Sequence, residues 1–275
     1  MGLWNPSCVW RIGVAPGPRL RVEARRIFVD HRAASRVRAA HPRLSPMTLT
    51  DAVAVVTGAS EGIGRAVAAA LLDAGATVHG LARSEARLAE TAAALGERFV
   101  PVVCDVTDPA AVRAAIDAAA AHRGHLDVLV NNAGVGRFGP VEEVADDDWA
   151  ALVETNLSGV FYATRAAVPH MKAAGRGHIV HVASIAGLVG NAGLSGYNAT
   201  KFGVRGFAEA TMKELRPHGI KVTCVYPGSV ATGFGGSDPK ATAIPAEAVA
   251  ATIRHVVEAP DSTLISEVVM RPMAV

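Results

Sequence analysis

Tyr197 and Lys201 stand four positions apart, a spacing that puts two side chains on one helix face, one turn above the other. A phenol titrates near ~10 and exchanges its proton poorly at neutral pH. An ammonium about 4 Å away favours the phenolate by roughly 4 kcal/mol at an effective dielectric of ~20, close to three pKa units. Ser184 follows the apolar run 178–183 and supplies a hydroxyl that can hold a substrate oxygen beside the phenol. Three such groups around one oxygen make a proton-transfer site for a carbonyl/alcohol pair. The plain alternative is an interfacial tyrosine with a lysine stretched along the surface, and the pair alone does not separate the two.

The elements around these residues carry the argument further. Val53–Val56 is a short apolar run suited to a buried strand. Thr57-Gly58-Ala59-Ser60-Glu61-Gly62-Ile63-Gly64 follows, and then an apolar-periodic helix over 65–74. Strand, glycine turn and helix N-terminus form a phosphate cradle, since glycines let the backbone approach and free N–H groups attract an anion. The next strand, 77–81, ends at Ala82-Arg83, where a dinucleotide fold meets the adenosine ribose. An acid there would suit a 2′-hydroxyl. Arg83 instead suits a 2′-phosphate, with a solvated helix-opening arginine as the alternative and Glu61 as a mild counter-signal.

Further on, helix 85–95, strand 99–103, helix 109–122 and strand 128–130 alternate. Asp105-Val106 lies at one strand end, where Asp105 can accept from an adenine amino group; Asp108 before Pro109 is the better helix cap. Asn131-Asn132-Ala133-Gly134 closes the next strand, with amides to stitch strand ends and small residues to leave room for a ring. The acidic run 146–148 opens a helix expected to continue from 149 to 174, and Asn156 sits inside it where Asn has poor propensity. Strand 178–183, helix 197–216 and strand 221–225 lead to Pro227-Gly228-Ser229-Val230-Ala231-Thr232. A lid candidate at 233–244, a helix at 246–258 and a strand at 264–270 complete the chain.

Half of the 275 residues are hydrophobic and the net charge is +2, enough for a large core of helices on a parallel sheet. The charge is uneven: residues 1–47 carry nine Arg and two acids, for +7, and the remainder carries −5. The first 47 residues hold five prolines and no sustained amphipathic period. They read as a disordered basic extension ahead of Met47, with a transit-like segment and an acidic-surface binder as alternatives. Residues 48–275 read as one domain. The mildly acidic body has no nucleic-acid footprint, and no apolar run is long enough to span a membrane. Cys8, Cys104 and Cys224 show no Cys-x-x-Cys spacing, so free thiols in a reducing, cytoplasmic setting are expected, with no metal site.

Taken together, these residues resemble the short-chain dehydrogenase/reductase family from about Thr50 to Met270. Thr57-Gly-x-x-x-Gly-x-Gly64 resembles its cofactor loop and Asn131-Asn-Ala-Gly134 its central strand motif. Asn156, Ser184, Tyr197 and Lys201 resemble its catalytic tetrad in order and spacing, and Pro227-Gly228 with Thr232 the segment closing over the nicotinamide amide. The resemblance implies a Rossmann-type doubly wound parallel sheet of about seven strands with helices on both faces. It implies hydride transfer between a nicotinamide and a ketone or secondary alcohol, with NADP(H) favoured over NAD(H) at Arg83. Tyr197 would be the general acid, Ser184 would orient the carbonyl, and Lys201 would lower the tyrosine pKa and hold the nicotinamide ribose. Asn156 would hold a water linked to Lys201. A homotetramer or homodimer is implied as well. A non-catalytic dinucleotide-binding regulator on the same fold is the competing function. The C-terminal stretch 265–275 lacks a glycine-rich ending and resembles that of hydroxy acid or serine dehydrogenases, which points to small hydroxy substrates.

Overall fold

The computed structural model describes residues 48–236 and 242–273. The arginine-rich segment 1–47 and the middle of the 233–244 lid candidate, with Lys240 as the polar handle it offers a substrate pocket, lie outside the described residues. Seven strands form one sheet: β1 (Val53–Thr57), β2 (Thr77–Ala82), β3 (Phe99–Val103), β4 (Val128–Asn131), β5 (Gly177–Val182), β6 (Ile220–Pro227) and β7 (Glu267–Met270). Their spatial order is β3-β2-β1-β4-β5-β6-β7, and every pairing is parallel. Parallel neighbours need crossovers, and the helices α1 (Gly62–Asp73), α2 (Glu85–Leu95), α3 (Pro109–Arg123), α4 (Asp146–Val153), α5 (Gly159–Ala174), α6 (Ser195–Leu215) and α7 (Ala246–Glu258) supply most of them. The doubly wound seven-stranded sheet is therefore as expected.

Burial explains why the strands read as unbroken apolar runs. Every residue of β1, β2, β4 and β5 is buried, as covering both faces of a parallel sheet requires. Ile116 of α3, Ala163 and Met171 of α5 and Val204 of α6 build the core on one face. Val67 and Leu71 of α1 with Val249 and Ile253 of α7 build it on the other.

The register brings the functional strand ends into line. Thr57 pairs with Leu81, Val56 with Val130, Asn131 with His181, and Val182 with Val225. The glycine turn after β1, Arg83 after β2, Asn132 after β4, Ser184 after β5 and Gly228 after β6 thus open along one sheet edge. Chain order reverses between β1 and β4, and a crevice at such a switch point is where doubly wound sheets take ligands.

The helix expected over 149–174 differs. α4 starts at Asp146 and stops at Val153, a π-helical turn spans Glu154–Ser158, and α5 resumes at Gly159. Asn156 lies in that widened turn, where its side chain bonds groups outside the helix. The three aspartates occupy the first turn after Ala145 and cap no amide with their side chains; their charge instead faces the positive end of the helix dipole. Asp108 does cap α3, accepting from Ala110 and Ala111 N–H at 2.8 and 3.1 Å ahead of Pro109.

Candidate active site

Ser184 leaves β5 with extended backbone (φ −174°) and starts a 3-10 turn, its hydroxyl accepting from Ala186 N–H at 3.1 Å. Tyr197 is the third residue of α6, and its phenol is hydrogen-bonded to Ser184. Lys201 lies one turn further on, buried, with Nζ 5.5 Å from the Tyr197 ring centroid and donating to the Val182 carbonyl at 3.3 Å. The Tyr-x-x-x-Lys pair is thus a converging cluster, which removes the surface-lysine alternative.

Its electrostatics correct one expectation. Burial pushes the Tyr197 phenol up to about 12, outweighing the Ser184 hydrogen bond that favours its ionised form. The same burial lowers Lys201 to about 8. The pKa drop anticipated for the phenol assumed an ammonium at about 4 Å in a partly solvated site. Here neither charged form finds enough polar surroundings, so the phenol holds its proton firmly and the lysine holds its own weakly.

Asn156 is wholly buried. Its Oδ1 accepts from Val135 N–H at 2.8 Å, and its Nδ2 donates to the Val135 carbonyl at 2.9 Å and to Thr200 Oγ1 at 3.3 Å. The side chain therefore fastens the loop after β4 to the helix carrying Tyr197 and Lys201. Both amide hydrogens are used, which leaves the second lone pair of Oδ1 as the side chain's remaining group for a water.

A cavity of about 1100 Å³ runs along the sheet edge, and Gly58, Ser60, Glu61, Gly62 and Ile63 line one end of it. A methyl on Gly58 (φ +67°) would lie 2.9 Å from Ala133 Cα, and one on Gly64 would overlap the Gly58 carbonyl oxygen. Glycine is needed at both. Thr57 and Gly64 sit behind the lining. Thr57 Oγ1 accepts from Asn132 and Ala133 N–H, each at 3.0 Å, and Asn132 Nδ2 donates to the Thr57 carbonyl at 3.0 Å. Asn132 is the stitch between β1 and β4 that its position suggested.

Asp105 and Val106 line the cavity after β3. Asp105 Oδ1 accepts from the Thr107 N–H and hydroxyl, both at 2.9 Å, while its Oδ2 has no partner among the described residues. Ala133, Gly134, Pro227, Gly228, Val230 and Thr232 complete the wall towards Tyr197. Arg83 is exposed at the far end and makes no ion pair among the described residues. Glu61 is not free to oppose it: Arg87 Nη1 bonds the Glu61 carboxylate at 2.7 Å.

Arg87 and Phe138 escaped the sequence reading, and Phe234 entered it only as part of the 233–244 lid candidate. Arg87 lies on the first turn of α2, while Arg83 stands outside that helix ahead of the Ser84 cap, so no helical spacing linked the two. Phe138 and Phe234 lie in loops without periodicity, and only the folded chain brings them to Tyr197, at ring-centroid distances of 5.6 and 6.0 Å.

The site fits a dinucleotide. No side chain caps α1, so its first-turn amides remain available to an anion; the glycines clear the approach, and the cavity continues unbroken to Tyr197 and Lys201.

Comparison with known proteins agrees with this geometry. The family model described as short chain dehydrogenase matches residues 52–242. The chain is 41% identical over 186 residues to the 3-alpha-(or 20-beta)-hydroxysteroid dehydrogenase of Mycobacterium tuberculosis, covering 67% of this chain and 71% of that protein. The structure of a 3-ketoacyl-(acyl-carrier-protein) reductase from Brucella melitensis complexed with NADH superposes with a TM-score of 0.77 at 28% identity, covering 80% of this chain and 97% of that one. A closed form of serine dehydrogenase complexed with NADP+ gives 0.77 at 31%, covering 81% and 95%.

Proposed function

The chain belongs to the short-chain dehydrogenase family and is a hydride-transferring oxidoreductase acting on carbonyl and alcohol groups, and from that premise we propose that its cofactor is NADP(H) and that Tyr197 exchanges the proton. The bound nicotinamide supplies or accepts the hydride at the reacting carbon. In reduction, Ser184 holds the carbonyl oxygen and Tyr197 gives that oxygen its proton as the carbon receives the hydride, leaving an alcohol. A phenol held near 12 is protonated and ready across the neutral range. Lys201 contributes positive charge beside the ring and, in this reading, a contact to the cofactor ribose. Asn156 positions both through Val135 and Thr200.

One observation carries the cofactor reading. Arg83 opens onto the cavity without an ion pair among the described residues, and the nearby Glu61 is already neutralised by Arg87. A charge-assisted bond to a 2′-phosphate contributes about 1.5–3 kcal/mol, so Arg83→Ala is expected to weaken NADPH binding roughly 10- to 100-fold and NADH binding far less. Equal losses for both cofactors, or a wild-type preference for NADH, would overturn the assignment.

The same reading takes residues 48–275 as one catalytic domain and 1–47 as a dispensable extension. It takes the assembly as a homotetramer or homodimer and the location as cytoplasmic. Among the described residues no helix is long and apolar enough to cross a membrane.

A further inference from the structure

Asn198 follows Tyr197 in α6 and is 7% exposed, and the proton exchange gives it no task. Successive side chains on a helix point about 100° apart, so its amide turns away from the phenol and meets the segment after Ser184. That one segment fills its bonding capacity. Nδ2 donates to the Ala186 carbonyl at 2.5 Å and to the Val189 carbonyl at 2.8 Å, and Oδ1 accepts from the Asn191 N–H at 3.1 Å. A side-chain amide offers two donor hydrogens and an acceptor oxygen, and residues 186–191 engage all of them.

The same segment aims Ser184. The Ser184 hydroxyl accepts from Ala186 N–H at 3.1 Å, and the carbonyl of that Ala186 is the one Asn198 holds. Gly187 N–H donates to the Ser184 carbonyl at 2.8 Å, and Leu188 and Val189 N–H donate to the Ile185 carbonyl at 2.9 and 3.1 Å. These backbone bonds shape the turn from within, whereas the Asn198 amide ties it to the helix carrying Tyr197 and Lys201. Turn and helix fit closely: a methyl on Gly187 would lie 2.7 Å from the Lys201 carbonyl oxygen. Ile185, Ala186 and Asn191 line the cavity beside Tyr197, so a shift of this turn would move the Ser184 hydroxyl and the cavity wall together.

We propose that Asn198 is a positioning residue for carbonyl reduction, locking the 185–191 turn onto α6 so that the Ser184 hydroxyl and the Tyr197 phenol converge on one substrate oxygen. The inference rests on the proposed proton exchange at Tyr197. Asn198 acts through Ala186 on Ser184, and alignment of this kind matters because a misplacement of about 1 Å can lower a rate ~10²-fold. A plain packing role predicts a different pattern: a rate loss that is the same whether or not residue 184 carries its hydroxyl.

The test is a double-mutant cycle in the full chain, following reduction of ethyl acetoacetate, acetone and acetophenone with NADPH and measuring NADPH binding alongside. Asn198→Ala is expected to lower kcat about 10- to 100-fold, to raise KM less, and to leave NADPH affinity within about twofold of wild type. In a Ser184→Ala background the same substitution should lower kcat less than about threefold, because the group it aims is gone. Asn198→Asp keeps the volume and the acceptor for Asn191 but loses both donors, and it should show the same pair of losses. Deuterium exchange of the 185–191 amides should quicken at least about tenfold in either Asn198 variant. Equal fold-losses in both backgrounds, or unchanged exchange over 185–191, overturns the positioning role and leaves the proton exchange at Tyr197 standing. Undiminished turnover by Tyr197→Phe in the same assay overturns the proton exchange instead. Reduction of none of the three ketones despite NADPH binding overturns both together.

Discussion

Lys201 and Tyr197 share one burial and respond to it oppositely, because the lysine is charged when protonated and the phenol when deprotonated. Their spacing was legible in the sequence; their protonation was not, since it depends on a solvent exclusion created by β5, α6 and the loop after β4 together. The consequence is a pH dependence set by the lysine. With Lys201 lowered to about 8 and Tyr197 raised to about 12, the free enzyme keeps the ammonium below pH 8 and the neutral phenol well beyond it. Carbonyl reduction measured as kcat/KM for NADPH should be level below pH 8 and fall above it. Lys201→Arg, where active, should carry that alkaline limb upward, because a guanidinium stays charged. A limb unmoved by the substitution would assign the titration elsewhere. Arg83 was legible from its strand-end position, but the Arg87–Glu61 pair beside it required the loop and helix to meet.

At the scale of elements, the sequence reading located the strands because apolar runs flanked by glycine and polar residues suit a buried parallel sheet. It missed the π-helical turn. The poor helix propensity of Asn156 signalled a disturbance, yet the backbone widens only where the amide can reach Val135 and Thr200. Strand β5 carries another feature hidden in an apolar run. His178 and His181 are fully buried; His178 bonds Thr223 Oγ1 at 2.8 Å and His181 meets Asn131 Nδ2 at 3.1 Å. Burial lowers His178 to about 3 and His181 to about 4. Their folded pKa values lie below the unfolded value near ~6.5, so the stability they confer is present above that value and is lost as pH falls through it towards the folded values. Each should remove ~2 kcal/mol of unfolding free energy between pH 7 and pH 5. In denaturant titrations at the two pH values, His181→Asn should shrink the loss by about that amount. An unchanged loss would show that His181 takes up its proton in the folded state.

Across the whole molecule, the doubly wound parallel sheet could be anticipated from the family resemblance, and right-handed crossovers leave few ways to assemble alternating strands and helices. The meeting of Phe138 and Phe234 at the Tyr197 ring could not, because they are 96 positions apart and neither loop has a period to place it. Residues 1–47 are rich in proline and arginine with no sustained amphipathic period, too little apolar surface to offset the entropy of ordering them, so a chain starting at Met47 should keep the melting temperature and turnover of the full chain; a loss of more than a few degrees would give residues 1–46 a structural role. In the proposed reaction this fold brings a proton and a hydride to one carbonyl, with the proton coming from Tyr197. Tyr197→Phe removes the phenolic oxygen and keeps the ring that packs beside Ala186 and Val135. Measured side by side, NADPH affinity and carbonyl turnover should separate in this variant: binding within about twofold of wild type and kcat lower by ~10²–10⁴-fold, the usual loss with a general acid. Undiminished turnover by the Tyr197→Phe protein would contradict the account.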